Sequence, residues 1–210
     1  MAGTFHLLLR DGELALPFYQ REEQRFCSSI IDPFRHRTSR RICVERNTRD
    51  CQREGFEPGY LGRIVQMHGE YYARVWGTGA AFEAGMAREF CEFCEHYNPE
   101  RDLLCTVHRD ETIVGCIAIN GTQSERPGLA RLRWYLLEEE CQGQGIGSRL
   151  LNRALAFCQA QGFPLVYLWT VEGLPASRHL YERAGFHVIQ RWVDCRYTVE
   201  HTHLLMEMPL

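Results

Sequence analysis

Apolar residues recur along this chain in two distinct periods, and the switches between them mark an alternation of helices and strands. Thr48 to Glu54 reads as a short strand, after which Pro58-Gly59 breaks the chain. Ile64, His68, Tyr71, Tyr72 and Val75 then fall at helical spacing and predict a first helix. A second is predicted from about Ala81 to Tyr97, with Phe82, Met86, Phe90, Phe93, Cys94 and Tyr97 on one side, glutamates opposite and Asn98-Pro99 at its end. The runs Leu103 to His108 and Thr112 to Asn120, joined by Arg-Asp-Glu, predict a hairpin. A polar loop, Gly121 to Gly128, leads to a strand from Ala130 to Leu137. The helix predicted from Arg149 to Gln161 turns Leu150, Leu151, Ala154, Leu155 and Cys158 toward a sheet. Strand Leu165 to Thr170, helix Pro175 to Ala184 and strands near Phe186 to Val193 and His203 to Met208 follow. Alternation that ends in two strands implies an α/β (α+β) domain with a mixed sheet.

At 210 residues and 45% hydrophobic content the chain can bury one good core. No run approaches the roughly 18 apolar residues of a membrane helix, and Phe5 to Leu9 is too short for a signal peptide, so a cytoplasmic protein without a membrane partner is expected. The ten cysteines are scattered through predicted helices and strands, which favours buried thiols over disulfides. Cys91 and Cys94 form the one close pair, and metal-ribbon spacing would need a second pair, so no metal is assigned. Residues 1–48 show no sustained period, and Arg35 to Arg49 holds six arginines. This stretch reads as an N-terminal extension before a domain over 49–210. Three readings stay open for it: a disordered or misassigned upstream segment, an ordered arm packed on the domain or a partner, and a nucleic-acid arm. Without a recognition-helix pattern, nucleic acid ranks last.

The candidate chemistry centres on Gln142-Gly143-Gln144-Gly145-Ile146-Gly147-Ser148, between a predicted strand and a predicted helix. Alternating glycines let successive N–H groups point outward, and the positive end of the helix dipole adds to them, so the loop suits a pyrophosphate. Ser148 stands where a dinucleotide fold wants its third glycine. The chain contains no lysine, so all 24 basic residues are arginine; this removes the P-loop, Schiff-base and Ser-x-x-Lys chemistries.

The pattern Q-x-x-G-x-G at Gln142 to Gly147 resembles the signature loop of the GNAT-type N-acetyltransferases. A second match lies at the right distance: Leu168-Trp169-Thr170, Ala176, and Leu-Tyr-Glu-Arg-Ala-Gly-Phe at 180–186. Residues 53–65, 68–74 and 131–134 are similar to the acetyltransferase part of bacterial MarR-type regulator fusions, whose regulator domain has no counterpart here. The resemblance covers about residues 49–210. It implies the acyl-CoA N-acyltransferase fold, a mixed sheet of about six to seven strands with four flanking helices, in which the fold's fourth and fifth strands splay apart to admit acetyl-CoA as cosubstrate.

The resemblance also implies site roles. Leu137 would offer backbone groups to the pantetheine and an N–H near the thioester oxygen. Gln142, Gly143, Gln144, Gly145, Ile146, Gly147 and Ser148 would hold the pyrophosphate. Tyr181 matches the position whose hydroxyl lies beside the cofactor sulfur and can serve as general acid. Eleven residues before Gln142, where some relatives carry a catalytic glutamate, stands Arg131. Glu138 is the remaining candidate base, acting directly or through water, and Tyr135 a weaker one. Strand alternation places Arg131, Arg133 and Tyr135 on one face and Leu132, Trp134 and Leu136 on the other. The arginines would welcome an anionic acceptor or pair with nearby glutamates. His201 and His203 share one strand face.

The leading expectation is an N-acetyltransferase that passes the acetyl group of acetyl-CoA to a primary amine of a small molecule or protein, by direct attack in a ternary complex, with a small-molecule or peptide amine as partner. The acceptor pocket is expected around His68 to Gly79 and Gly121 to Gly128. The alternative is a non-catalytic acyl-CoA sensor, and a DNA-associated protein ranks third. A homodimer stays open.

Overall fold

The computed structural model describes residues 50–194 and 200–210, together with the backbone of 40–42. The readings made for 1–39, 43–49 and 195–199 lie outside the described residues. Eight strands form one mixed sheet: β1 (Arg40–Ile42), β2 (Asp50–Glu54), β3 (Leu103–Arg109), β4 (Thr112–Asn120), β5 (Ala130–Leu137), β6 (Leu165–Val171), β7 (His187–Asp194) and β8 (His201–Pro209), in the spatial order β1-β2-β3-β4-β5-β6-β8-β7. Four helices flank it: α1 (Tyr60–Trp76), α2 (Ala80–Glu95), α3 (Ile146–Ala160) and α4 (Pro175–Ala184). The expected mixed sheet with four helices is present. The strand count rises to eight because Arg40–Ile42 pairs antiparallel with Arg53 and its neighbours on β2, where no strand period was legible.

Two apolar layers fix this arrangement, one on each face of the sheet. Ile64, Met86, Phe90 and Phe93 from α1 and α2 pack with Leu104, Cys116 and Leu136 on one face. Leu150, Leu151, Ala154 and Cys158 from α3 pack with Cys105, Ile117, Leu132 and Val166 on the other. Ile64, Phe90, Leu104, Ile117 and Leu150 are wholly buried, and each such side chain contributes roughly 1.5–3 kcal/mol. The described cysteines are all free thiols, and Cys94, Cys105, Cys116, Cys141 and Cys158 are buried within these layers. Among the described residues no helix is long and apolar enough to cross a membrane.

Two irregularities in β5 position the site. The strand is parallel to β6 only at Ala130–Val166 and Arg131–Tyr167; beyond these pairs the two part and leave a gap in the sheet. On its other side β5 carries a bulge against β4, with Trp134 in the left-handed region at φ 47°. The extra residue changes the phase of the strand. Leu132 belongs to the α3 layer, while both Trp134 and Leu136 pack in the α1–α2 layer. Tyr135 and Leu137 pack against the α3 layer, and Arg133 reaches Glu89 on α2. The expected grouping of Tyr135 with Arg131 and Arg133 is therefore corrected: the bulge places the tyrosine on the opposite face.

Candidate active site

The glycine loop begins as a 3-10 turn at Glu139–Cys141 and ends as the first turn of α3, which starts at Ile146, three residues earlier than its apolar period indicates. Gly143 and Gly145 have φ of 72° and 74°, a region that L side chains rarely occupy, so these positions need glycine for conformation. Gly147 needs it for space: a Cβ there would stand 2.7 Å from the Tyr135 hydroxyl. Two glutamines brace the turn. Gln142 donates from Nε2 to the Leu137 carbonyl at 3.0 Å, and Gln144 donates from Nε2 to the Glu140 carbonyl at 2.8 Å.

The Gln142 N–H donates to the Glu139 carbonyl at 3.0 Å and is engaged within the turn. From Gly143 to Ser148, by contrast, the six consecutive N–H groups meet no acceptor among the described residues. Free donors gathered at the start of a 15-residue helix, with the dipole's positive end behind them, form a cradle for an anion. Arg149 adds a cation that the glycine pattern does not reveal: it donates to the Gln144 carbonyl at 3.4 Å and has no ion-pair partner among the described residues. Arg109, also beside the loop, donates to Gln144 Oε1 at 3.5 Å but is held by Asp50 at 2.8 and 3.1 Å.

The gap between β5 and β6 opens into a cleft of about 260 Å³. β5 lines it with Arg131 to Tyr135, and Tyr181 reaches it from α4. Tyr181 is 5% exposed, its ring 5.9 Å from that of Tyr135 and 5.8 Å from that of Phe186. Burial, and then the neighbouring Tyr135, push its hydroxyl well above the usual tyrosine range, so the phenol keeps its proton. Burial raises Tyr135 as well, and its buried hydroxyl has no hydrogen-bond partner among the described residues. A phenol that resists ionisation keeps its O–H, so it stands ready to donate a hydrogen bond into the cleft.

Glu138 lies elsewhere. Its carboxylate pairs with Arg63 of α1, which also donates to the Ile113 carbonyl at 3.1 Å, and it lines a second pocket with Met67, Tyr71 and Arg74. The structure thus brings Tyr181 and β5 together and keeps the Glu138 side chain apart from that cleft. Of the two stretches expected to shape an acceptor pocket, the first lines the cleft, though as helix: His68, Tyr72 and Trp76 come from α1 and Thr78 follows it. The loop 121–128 reaches the cleft indirectly, through Glu125 on Arg131. His201 and His203 both line it, the former with its ring tilted against Trp76 at 4.6 Å.

His68 is a lining residue whose role the helical period hid. It is 4% exposed, and its Nδ1 lies 2.8 Å from the Ile64 carbonyl; a carbonyl only accepts, so Nδ1 carries the proton. Burial lowers its pKa from 6.5 to about 4, with the Ile64 bond opposing the shift. The folded protein therefore refuses a proton that the unfolded chain takes up below pH 6.5, and stability falls as pH drops from 6.5 toward 4, by about 3 kcal/mol across that window. Urea titrations at pH 7 and pH 4.5 are expected to show this loss in the parent and a clearly smaller one in His68→Gln, which still has a donor for Ile64. His108, lowered in the same direction by burial, leaves a residual slope. Equal slopes in parent and variant would overturn the assignment.

The architecture, a mixed sheet parted beside a glycine-rich anion cradle, defines an acyl-CoA N-acyltransferase fold. The model of the acetyltransferase (GNAT) family matches residues 62–186, more than half of the chain, and the chain belongs to that family. Solved structures agree at the level of the fold. A GNAT-family acetyltransferase from Streptococcus pneumoniae is 18% identical with a TM-score of 0.57, over 77% of this chain and 99% of that one. One from Staphylococcus aureus is 14% identical with a TM-score of 0.60, over 76% and 99%. The ribosomal-protein-alanine N-acetyltransferase of Brucella melitensis is 16% identical with a TM-score of 0.61, over 76% and 99%. A comparison with curated protein sequences returns no match.

Proposed function

We propose that this acetyltransferase takes the acetyl group from acetyl-CoA and passes it to the primary amine of a small molecule, by direct attack in a ternary complex. The observation that carries the reading is the junction of two features at β5: six unengaged N–H groups at one end, and an interrupted sheet with Tyr181 beside it. A cradle of this kind fits the pyrophosphate of acetyl-CoA, with Arg149 supplying further positive charge. The edge that β5 leaves unpaired beyond Arg131 fits the amide groups of the pantetheine, ending at Leu137.

Acetyl-CoA supplies an activated acyl group with a thiol leaving group. The protein's part is to hold it in line with the amine, to keep water out and to give a proton to the departing sulfur, the role assigned to the Tyr181 hydroxyl. Glu138 serves as base only through a chain of waters, since its side chain turns to Arg63. A small acceptor suits the volume of the cleft better than a protein segment. The likeness of residues 53–65, 68–74 and 131–134 to the acetyltransferase part of MarR-type fusions extends this reading to that subgroup.

The test mixes purified protein with acetyl-CoA and a panel of amines, amino acids, polyamines and peptides and follows release of CoA thiol. Release that requires one acceptor class is the expected result. Tight binding of acetyl-CoA with no release across the panel would replace the enzyme with an acyl-CoA sensor.

A further inference from the structure

The side of the cleft away from the glycine loop has an unusual charge balance. Arg131 and Arg133 line it against one carboxylate, Glu89. Each guanidinium carbon sits over a tryptophan ring, Arg131 at 4.0 Å from the centroid of Trp169 and Arg133 at 4.1 Å from that of Trp134. Both arginine side chains are 11% exposed, whereas the glutamates that pair with them, Glu125 and Glu89, are 45% and 50% exposed and face water. One Nη of each arginine is engaged by its glutamate, out of five N–H donors available to each. The Nε of Arg131 is buried with no hydrogen-bond partner among the described residues. Burial, and then the like charge of Arg133, pull the Arg131 pKa down to about 10, the sign of a cation short of compensating charge. Trp76, Phe82 and Met86 supply an apolar wall to the same cleft.

We propose that the acceptor is a free α-amino acid with an apolar or aromatic side chain, its carboxylate held by Arg131 and Arg133 and its side chain against Trp76 and Phe82. This rests on the cleft being the acceptor site of the acetyltransferase. The arrangement also bears on the missing base. An ammonium brought beside two guanidiniums loses its proton more readily, so a neutral amine is obtained with less help from a carboxylate. In the reaction the amine nitrogen forms the bond to the acetyl carbon, the carbon–sulfur bond breaks, the nitrogen's proton passes to water and the thiolate takes the Tyr181 proton, which solvent restores.

Binding and turnover are measured separately. Calorimetry on the CoA-saturated protein compares phenylalanine with phenethylamine, which lacks the carboxylate, and with phenylalaninamide, in which it is blocked. Phenylalanine is expected to bind at least about tenfold more tightly than either, the scale of a charge-assisted bidentate contact. Arg133→Gln is expected to remove most of that preference and Arg133→Lys to keep part of it, with folding checked by acetyl-CoA binding and thermal melting. Equal affinity for the three compounds, a preference for phenethylamine, no measurable binding of phenylalanine, or a preference unchanged in Arg133→Gln would each overturn the inference. Carboxylate-dependent binding without thiol release would leave the two-arginine carboxylate site but overturn its role as the acceptor site, together with the acetyltransferase reading.

Discussion

Replacing Tyr181 by phenylalanine is expected to lower kcat about 100-fold, the lower end of what a positioned proton donor contributes, while leaving the KM for acetyl-CoA within about twofold. The variant isolates the hydroxyl, because the ring contacts with Tyr135 and Phe186 at 5.9 and 5.8 Å remain available to phenylalanine. Thermal stability should change little for the same reason. Since burial raises the pKa of Tyr181, the acid form is the one present throughout an ordinary assay, and the parent rate should show no fall attributable to this group as pH rises to 10. Steady-state thiol release from pH 6 to pH 10 checks both statements. A variant that keeps full kcat would reduce Tyr181 to a packing residue and leave the leaving thiolate to be protonated by water.

The placement of this tyrosine was legible because its signals are local. The motif at 180–186 covers the end of one short helix and the two residues after it, and α4 runs from Pro175 to Ala184 as the period predicts. The same holds for β4 and β5, whose bounds follow directly from their apolar runs. Where the reading departs from the structure, a non-local cause can be named. The run Ala-Arg-Leu-Arg-Trp-Tyr-Leu-Leu contains no glycine to announce a bulge, yet Trp134 takes a positive φ because its ring packs at 4.8 Å from Phe90 and 5.1 Å from Phe93 on α2. Helix α3 begins early because Gly145 adopts a left-handed cap, so two poor helix formers, Gly147 and Ser148, are carried inside its first turn. His68 and Glu89 look like ordinary positions on amphipathic helices; only the tertiary gap beside β5 makes them cleft residues. Glu138 stood out in sequence as an acid beside the loop, and its pairing with Arg63, seventy-five positions away, carries no local signature.

Asp102→Ala is expected to be the most destabilising polar substitution outside the cleft, at about 3–4 kcal/mol, or a fall in Tm of roughly 10 °C. Asp102 is 1% exposed, and its carboxylate accepts from three backbone N–H groups: Gly121 at 2.8 Å and Thr122 at 2.9 Å on one oxygen, Asn98 at 2.8 Å on the other. It thereby ties the segment after α2 to the start of the loop that follows β4. Alanine would leave these donors without an acceptor in a place where water has little room, since a Cβ at Gly121 would already lie 2.3 Å from the Phe163 ring. Asp102→Asn retains one oxygen for Gly121 and Thr122 and should cost about half as much, so the pair separates loss of the acceptor from loss of volume. The loop so anchored also carries Ser124 and Glu125, both bonded to Tyr167, with Glu125 paired to Arg131. Its loosening should therefore reach the cleft. In the Asp102→Asn protein, if Arg131 is held in position partly by Glu125, affinity for a carboxylate-bearing acceptor should weaken while acetyl-CoA binding, set at the far end of β5, stays as in the parent. Calorimetry with each ligand distinguishes this from general unfolding, which would weaken both together.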